Sequence, residues 1–136
     1  MADTLQFDLV SPERMVASVA ARAVRIPGAE GDMTAMPGHT PALTTLRPGF
    51  VTVETDGGED QRFVVTGGFA EVGAESVSVL AEKGMPGAEF TQEVYADILA
   101  EARAKLDEAP QEHMDTLAKL VAELQALATE SGLRPD

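Results

Sequence analysis

Between Gly84 and Gly87 the hydrophobic period of the sequence changes, and that change limits the folds open to it more than any other feature. Upstream, short β-branched runs are separated by Gly, Pro and acidic turn residues. Downstream of Thr91 there is no Gly until Gly132, and Pro110 is the one proline before Pro135. A period of two giving way to a period of 3.6 places strands first and helices second. In Leu5–Val10, Leu5, Phe7 and Leu9 share one face and Gln6 and Asp8 the other, the pattern of a half-buried strand. Ser11-Pro12-Glu13 turns the chain, and a second β-branched run, residues 16–26, stops at Pro27-Gly28. Residues 50–55 and 61–66 face each other across Asp56-Gly57-Gly58-Glu59, a strong hairpin signal. Residues 69–72 and 76–81 make another short pair across Gly73-Ala74-Glu75, with Val77 and Val79 on one face. So many short strands predict an antiparallel sandwich or barrel.

In the second half, Thr91 is a plausible N-cap, and Glu93 suits the positive end of a helix dipole. Val94, Ile98, Leu99, Ala102 and Leu106 recur at helical spacing. Ala109-Pro110 interrupts them, with Pro suited to the first position of the next helix. Met114, Leu117, Leu120, Val121, Leu124, Leu127 and Ala128 form a second apolar stripe, ending at Ser131-Gly132. The stripe spans barely two heptads, which favours packing within the chain over a dimeric coiled coil. The expected fold is therefore α+β, an N-terminal antiparallel β-sandwich over residues 1–87 followed by an antiparallel two-helix hairpin over residues 88–136. Two helices share a single seam, so the hairpin is expected to dock on the sandwich or on another partner.

Composition removes several function classes. The absence of Cys excludes disulfides, thiolate metal sites and cysteine nucleophiles. Ten Lys and Arg against twenty-three Asp and Glu, a formal charge of −13, oppose nucleic acid and direct adsorption to anionic lipid. The apolar runs are too short to insert into a membrane. Residues 1–10 lack the basic and apolar regions of a targeting signal, so the chain reads as cytosolic.

Residues 28–49, GAEGDMTAMPGHTPALTTLRPG, are read as a long loop-and-turn region, because Gly supplies positive φ and Pro fixes φ while removing a donor. A loop this long in a small domain binds something or crosses between sheets. Glu30, Asp32 and His39 lie close there, and a small β-sandwich enzyme using them as an acid/base or metal cluster is one alternative. No metalloprotease, nucleophile-elbow or phosphate-loop motif accompanies them. Gly67-Gly68 is better explained by a β-bulge or close sheet packing than by a phosphate cradle, since no helix start or Lys follows. The other alternative is a free-standing protein-binding module, in which acids on a proline-braced loop meet a basic loop.

The order of four motifs resembles the epsilon subunit of F-type ATP synthases, of bacterial type, over nearly the full length. They are LQFDLVSPE (from Leu5), GAEGDMTAMPGHTPALTTLRPG (from Gly28), VTGGFAEV (from Val65) and VSVLAE (from Val77). The resemblance implies a β-sandwich with a C-terminal helical hairpin. It implies a non-catalytic central-stalk subunit, without cofactor or metal, that couples gamma to the c-ring of a proton-translocating synthase. That places it peripherally at the cytoplasmic face of the bacterial inner membrane. By similarity, Glu30, Gly31 and Asp32 belong to the loop that meets the c-ring, whose exposed loops carry Arg, while Ser11 and His39 match positions near gamma. Asp32 keeps the charge of the family's frequent Glu with a shorter reach. Relatives that bind ATP do so through an [IL]-D-x-x-R-A motif; here residues 90–95 are FTQEVY, so the Asp and Arg are missing and no ATP site is expected. In relatives that inhibit hydrolysis, the second helix extends into the head, toward alpha and beta, and offers basic residues to an acidic segment of the beta subunit. Between Pro110 and Asp136 this chain has only Lys119 and Arg134 against five acids, so weak or absent inhibition is expected.

Overall fold

The computed structural model describes residues 3–136, which fall into two compact units divided after Gly87. The first contains β1 (Leu5–Val10), β2 (Met15–Gly28), β3 (Gly31–Ala35), β4 (Ala42–Leu46), β5 (Gly49–Thr55), β6 (Gln61–Val65), β7 (Gly68–Val72), β8 (Ser76–Ala81) and β9 (Gly84–Pro86). They are hydrogen-bonded in the order β1-β8-β7-β4-β2-β5-β6-β9, with β3 beside β2 and β1 closing onto β2.

The fourteen-residue β2 belongs to both layers of the sandwich. Its first part pairs with β1, as in Phe7↔Val19, and its second with β3 and β5, as in Val24↔Ala35 and Val24↔Val53. The register shifts between Ala21 and Ala23, where the strand turns the corner. Alternate residues of both layers point inward, among them Leu5, Phe7, Leu9, Val24, Ile26, Val51, Val53, Phe63, Val77 and Val79, all buried. Phe7 and Phe63 meet across the layers with ring centroids 6.0 Å apart. Burying each such side chain contributes about 1.5–3 kcal/mol.

Within the sandwich, the structure departs from the sequence reading in residues 28–49 and in the direction of one strand pair. Residues 28–49 are not one loop, since β3 and β4 lie within them, paired to β2 and β7. Pro37, Pro41 and Pro48 stand outside the strands, so the ladders lose no donor to them. The sheet is also not wholly antiparallel. β1 and β8 run parallel, in register from Gln6↔Ser76 to Val10↔Leu80. That pairing joins distant segments and leaves no local signature in the sequence.

Gly68 shows what its glycine pair is for. A Cβ there would overlap the carbonyl oxygen of Leu80 on β8, and its φ of +118° is one that side chains resist. Close packing of β7 against β8 requires the missing side chain.

The second unit is a helical hairpin, α1 (Gln92–Glu108) and α2 (Gln111–Glu130). Thr91 caps α1, its hydroxyl accepting from the Val94 N–H at 3.3 Å. Pro110 sits one residue earlier than expected, at the N-cap of α2. Tyr95, Ile98, Leu99 and Ala102 of α1 and Leu124, Leu127 and Ala128 of α2 are buried, whereas Met114 is exposed and Leu117, Leu120 and Val121 are half-buried. The seam is thus closed far from the linking turn and open near it. After α2, Gly132 (φ +79°) reverses the chain and the Leu133 N–H returns to the Ala128 carbonyl at 2.8 Å. The side chain of Gln92 then holds the backbone of Arg134 at two points, donating to its carbonyl (3.0 Å) and accepting from its N–H (2.9 Å).

Candidate functional site

Two surfaces of the first unit carry distinctive chemistry. The first is the two-residue turn, Ala29 and Glu30, that joins β2 to β3 across the pair Gly28↔Gly31. The turn is held on its other side as well, because the Ala29 N–H donates to the Thr45 carbonyl (2.7 Å) and the Arg47 N–H to the Pro27 carbonyl (3.0 Å). Gly31 has a φ of +145°, with nothing within 4 Å of a Cβ built on it, so its role in the turn is conformational. Ala29, Glu30, Gly31 and Asp32 are all exposed.

Asp32 is not free. The Arg47 guanidinium donates through Nη2 to Asp32 Oδ1 and through Nη1 to the Gly28 carbonyl, each at 2.5 Å. Glu30 has no hydrogen bond or ion pair among the described residues.

His39 lies four residues beyond the far end of β3, on the order of 10 Å or more from Asp32 at a strand rise of about 3.3 Å per residue. Its N–H donates to the Met36 carbonyl at 3.1 Å, and its Nδ1 lies against the Thr40 carbonyl. The acid/base or metal grouping of Glu30, Asp32 and His39 therefore does not assemble, and no group of three or more potential ligands occurs among the described residues. Proximity in sequence misleads here because an extended strand separates the residues.

The second surface is the outer face of β4, β7, β8 and β1. Residues between the inward-pointing ones form cross-strand rows: Thr45↔Phe69, Phe69↔Leu80 and Leu80↔Val10, with Leu43↔Glu71 beside them. Leu43 is 71% exposed, Phe69 45% and Leu80 41%. Isolated exposed apolar residues are ordinary, but neighbours on three adjacent strands form a patch of the kind that marks an interaction site. The face turns polar at its other margin, where Ser18 donates to Asp8 at 2.7 Å and Gln6 to Ser18 at 2.8 Å.

Ser11 and His39 lie near opposite ends of this face. Ser11 follows β1 and closes the turn into β2 through reciprocal backbone bonds with Arg14, its hydroxyl also donating to the Arg14 carbonyl at 3.4 Å. It is largely buried, and these bonds shape the turn. The turn before His39 is tied to the β7–β8 connection by the Gly38 N–H, which donates to the Ala74 carbonyl at 2.8 Å. Sequence reasoning passed over Leu43, Phe69 and Leu80, although the placement of Val77 and Val79 on one face already put Leu80 on the other.

Fold and surface together define a β-sandwich and helical-hairpin chain whose conspicuous chemistry is presented outward on a sheet face and an end turn. The family described as ATP synthase, Delta/Epsilon chain, beta-sandwich domain, matches residues 4–87. The ATP synthase epsilon chain of Paracoccus denitrificans (strain Pd 1222) is 53% identical over 142 residues, covering 100% of this chain and 96% of the relative. That of Rhodobacter capsulatus is 54% identical over 133 residues, covering 98% and 100%. Among solved structures, a chain in the Euglena gracilis mitochondrial ATP synthase OSCP/F1/c-ring assembly in rotational state 1 matches with a TM-score of 0.72 at 25% identity, over 96% of this chain and 82% of that one. The chain belongs to the ATP synthase epsilon chain family and is a component of an ATP synthase complex.

Proposed function

We propose that the chain is a non-catalytic rotor subunit of the central stalk, joining gamma to the c-ring of a proton-translocating ATP synthase at the cytoplasmic face of the bacterial inner membrane. The observation that carries this reading is the exposed apolar patch of Leu43, Phe69 and Leu80 on a chain of this family. Gamma covers that face, with the Ser11 turn and His39 near its two ends. The Glu30–Gly31–Asp32 turn, exposed and acidic, meets the basic loops of the ring. The solved neighbour is itself described as an assembly of OSCP, F1 and c-ring, which supports these partners. Among the described residues no helix is long and apolar enough to cross a membrane.

The hairpin regulates weakly if at all. Any contact it makes with alpha and beta is made by a helix that is poor in cations.

The test is to rebuild the cognate synthase with the full-length chain and with a form ending at Gly87, then measure ATP hydrolysis and ATP-driven proton pumping. Coupled pumping with both forms, at similar hydrolysis rates, supports the proposal. A sharp rise in hydrolysis on truncation overturns the weak-regulation part. Turnover or metal binding by the isolated chain, lost on His39→Ala, would overturn the non-catalytic part.

A further inference from the structure

The acids of the β2–β3 turn are unequal, and Arg47 makes them so. It projects from the connection between β4 and β5, fifteen residues from Asp32 in sequence, and its planar fork engages two acceptors at once. One is the last carbonyl of β2, at Gly28, and the other is Asp32 at the start of β3. The guanidinium thus spans the base of the turn and balances the charge of Asp32. Glu30, at the turn's outer corner, is left as the uncompensated carboxylate.

We infer that Arg47 is the positioning residue of this turn, and that Glu30 rather than Asp32 supplies the carboxylate that pairs with a cationic side chain of the ring loop. The inference rests on the reading of the turn as ring-facing. A guanidinium arriving from the ring meets a free anion at Glu30, whereas at Asp32 it must displace Arg47 from a pair already formed. Arg47 also fixes where Glu30 is presented, because the turn is tied to the 45–47 segment by both backbone and side chain. A lysine at position 47 keeps the charge and loses the fork, since it is a point donor.

The experiment uses the full-length chain in complex with gamma, bound to detergent-solubilised c-ring across a salt series. Glu30→Gln is expected to weaken binding by about tenfold at low salt, with the loss shrinking as salt rises. Asp32→Asn is expected to cost about twofold, as for an exposed pair within the chain. In the Arg47→Gln background the ranking changes: the released Asp32 carboxylate now pairs with the ring, so adding Asp32→Asn costs more than it does with Arg47 present. Arg47→Lys restores the original ranking in part. A role for Arg47 in stability alone would leave this ranking unmoved. If Asp32→Asn costs as much as Glu30→Gln with Arg47 intact, the division of roles is wrong while the turn remains ring-facing. If none of these variants changes ring binding, the ring-facing reading of the turn fails and the inference falls with it.

Discussion

The hydroxyl of Tyr95, in the first turn of α1, donates at 2.5 Å to the carbonyl oxygen of Pro135, forty residues further along the chain. With the two bonds between the Gln92 side chain and the Arg134 backbone, it ties the C-terminal tail to the start of the hairpin. Tyr95→Phe keeps the buried ring and its edge-on contact with Phe90, and removes only this bond. The expected cost is about 1 kcal/mol, as the exposed Pro135 carbonyl can turn to water. Thermal unfolding measures the loss, and faster amide exchange at Arg134 locates it.

The same phenol makes stability depend on alkaline pH. Burial raises the Tyr95 pKa above its ordinary value of 10.0; Arg103 opposes this and Asp136 adds to it. The folded chain therefore keeps the phenolic proton to a higher pH than the unfolded chain does. The resulting stabilisation is full below about pH 10 and is lost as pH rises through the folded pKa. The advantage of the parent over Tyr95→Phe should shrink across that window. Because the chain has one Tyr and no Trp, phenolate absorbance reports this group alone.

Two glycines of positive φ should differ in their response to the same change. Gly31→Ala meets no neighbour within 4 Å and carries conformational strain only, about 1–2 kcal/mol. Gly68→Ala adds a collision with the Leu80 backbone, where yielding means separating β7 from β8. We expect it to cost about 2–4 kcal/mol. Denaturant titration should rank them in that order, and equal losses would contradict the steric account.

Phe69→Ser and Leu80→Ser should leave the isolated chain's stability within about 1 kcal/mol of the parent, because both side chains already meet solvent. Binding to gamma, measured by calorimetry, should fall by more than about tenfold for Phe69→Ser, as expected for an aromatic anchor at the centre of an interface.

The parts of this fold legible in the sequence are those with local causes. The alternation in Leu5–Val10, the Gly-rich hairpin turn after Thr55, the Thr91 cap and the break at Ala109-Pro110 each follow from neighbouring residues. β3 and β4 were hidden because five-residue strands flanked by Gly and Pro look like the turns around them. β2 runs two residues past its expected stop because Pro27 needs no donor there and its carbonyl still receives the Arg47 N–H. Glu30 and Asp32 were legible as exposed acids, although Asp32 stands on β3 and only Glu30 lies in the turn. The Arg47 brace was not, since only the β4 pairing brings residue 47 beside residue 28.

β2 has one more consequence. It begins beside Val10, at the margin of the outer face, and ends at the Ala29–Glu30 turn. A pull applied between those two surfaces runs along covalent backbone and loads the flanking ladders lengthwise, so many hydrogen bonds resist together. A pull across the strands would open them one at a time. Load passing between the outer sheet face and the acidic tip is therefore carried along β2, through its bend at Ala21–Ala23, by shearing ladders and not by peeling them.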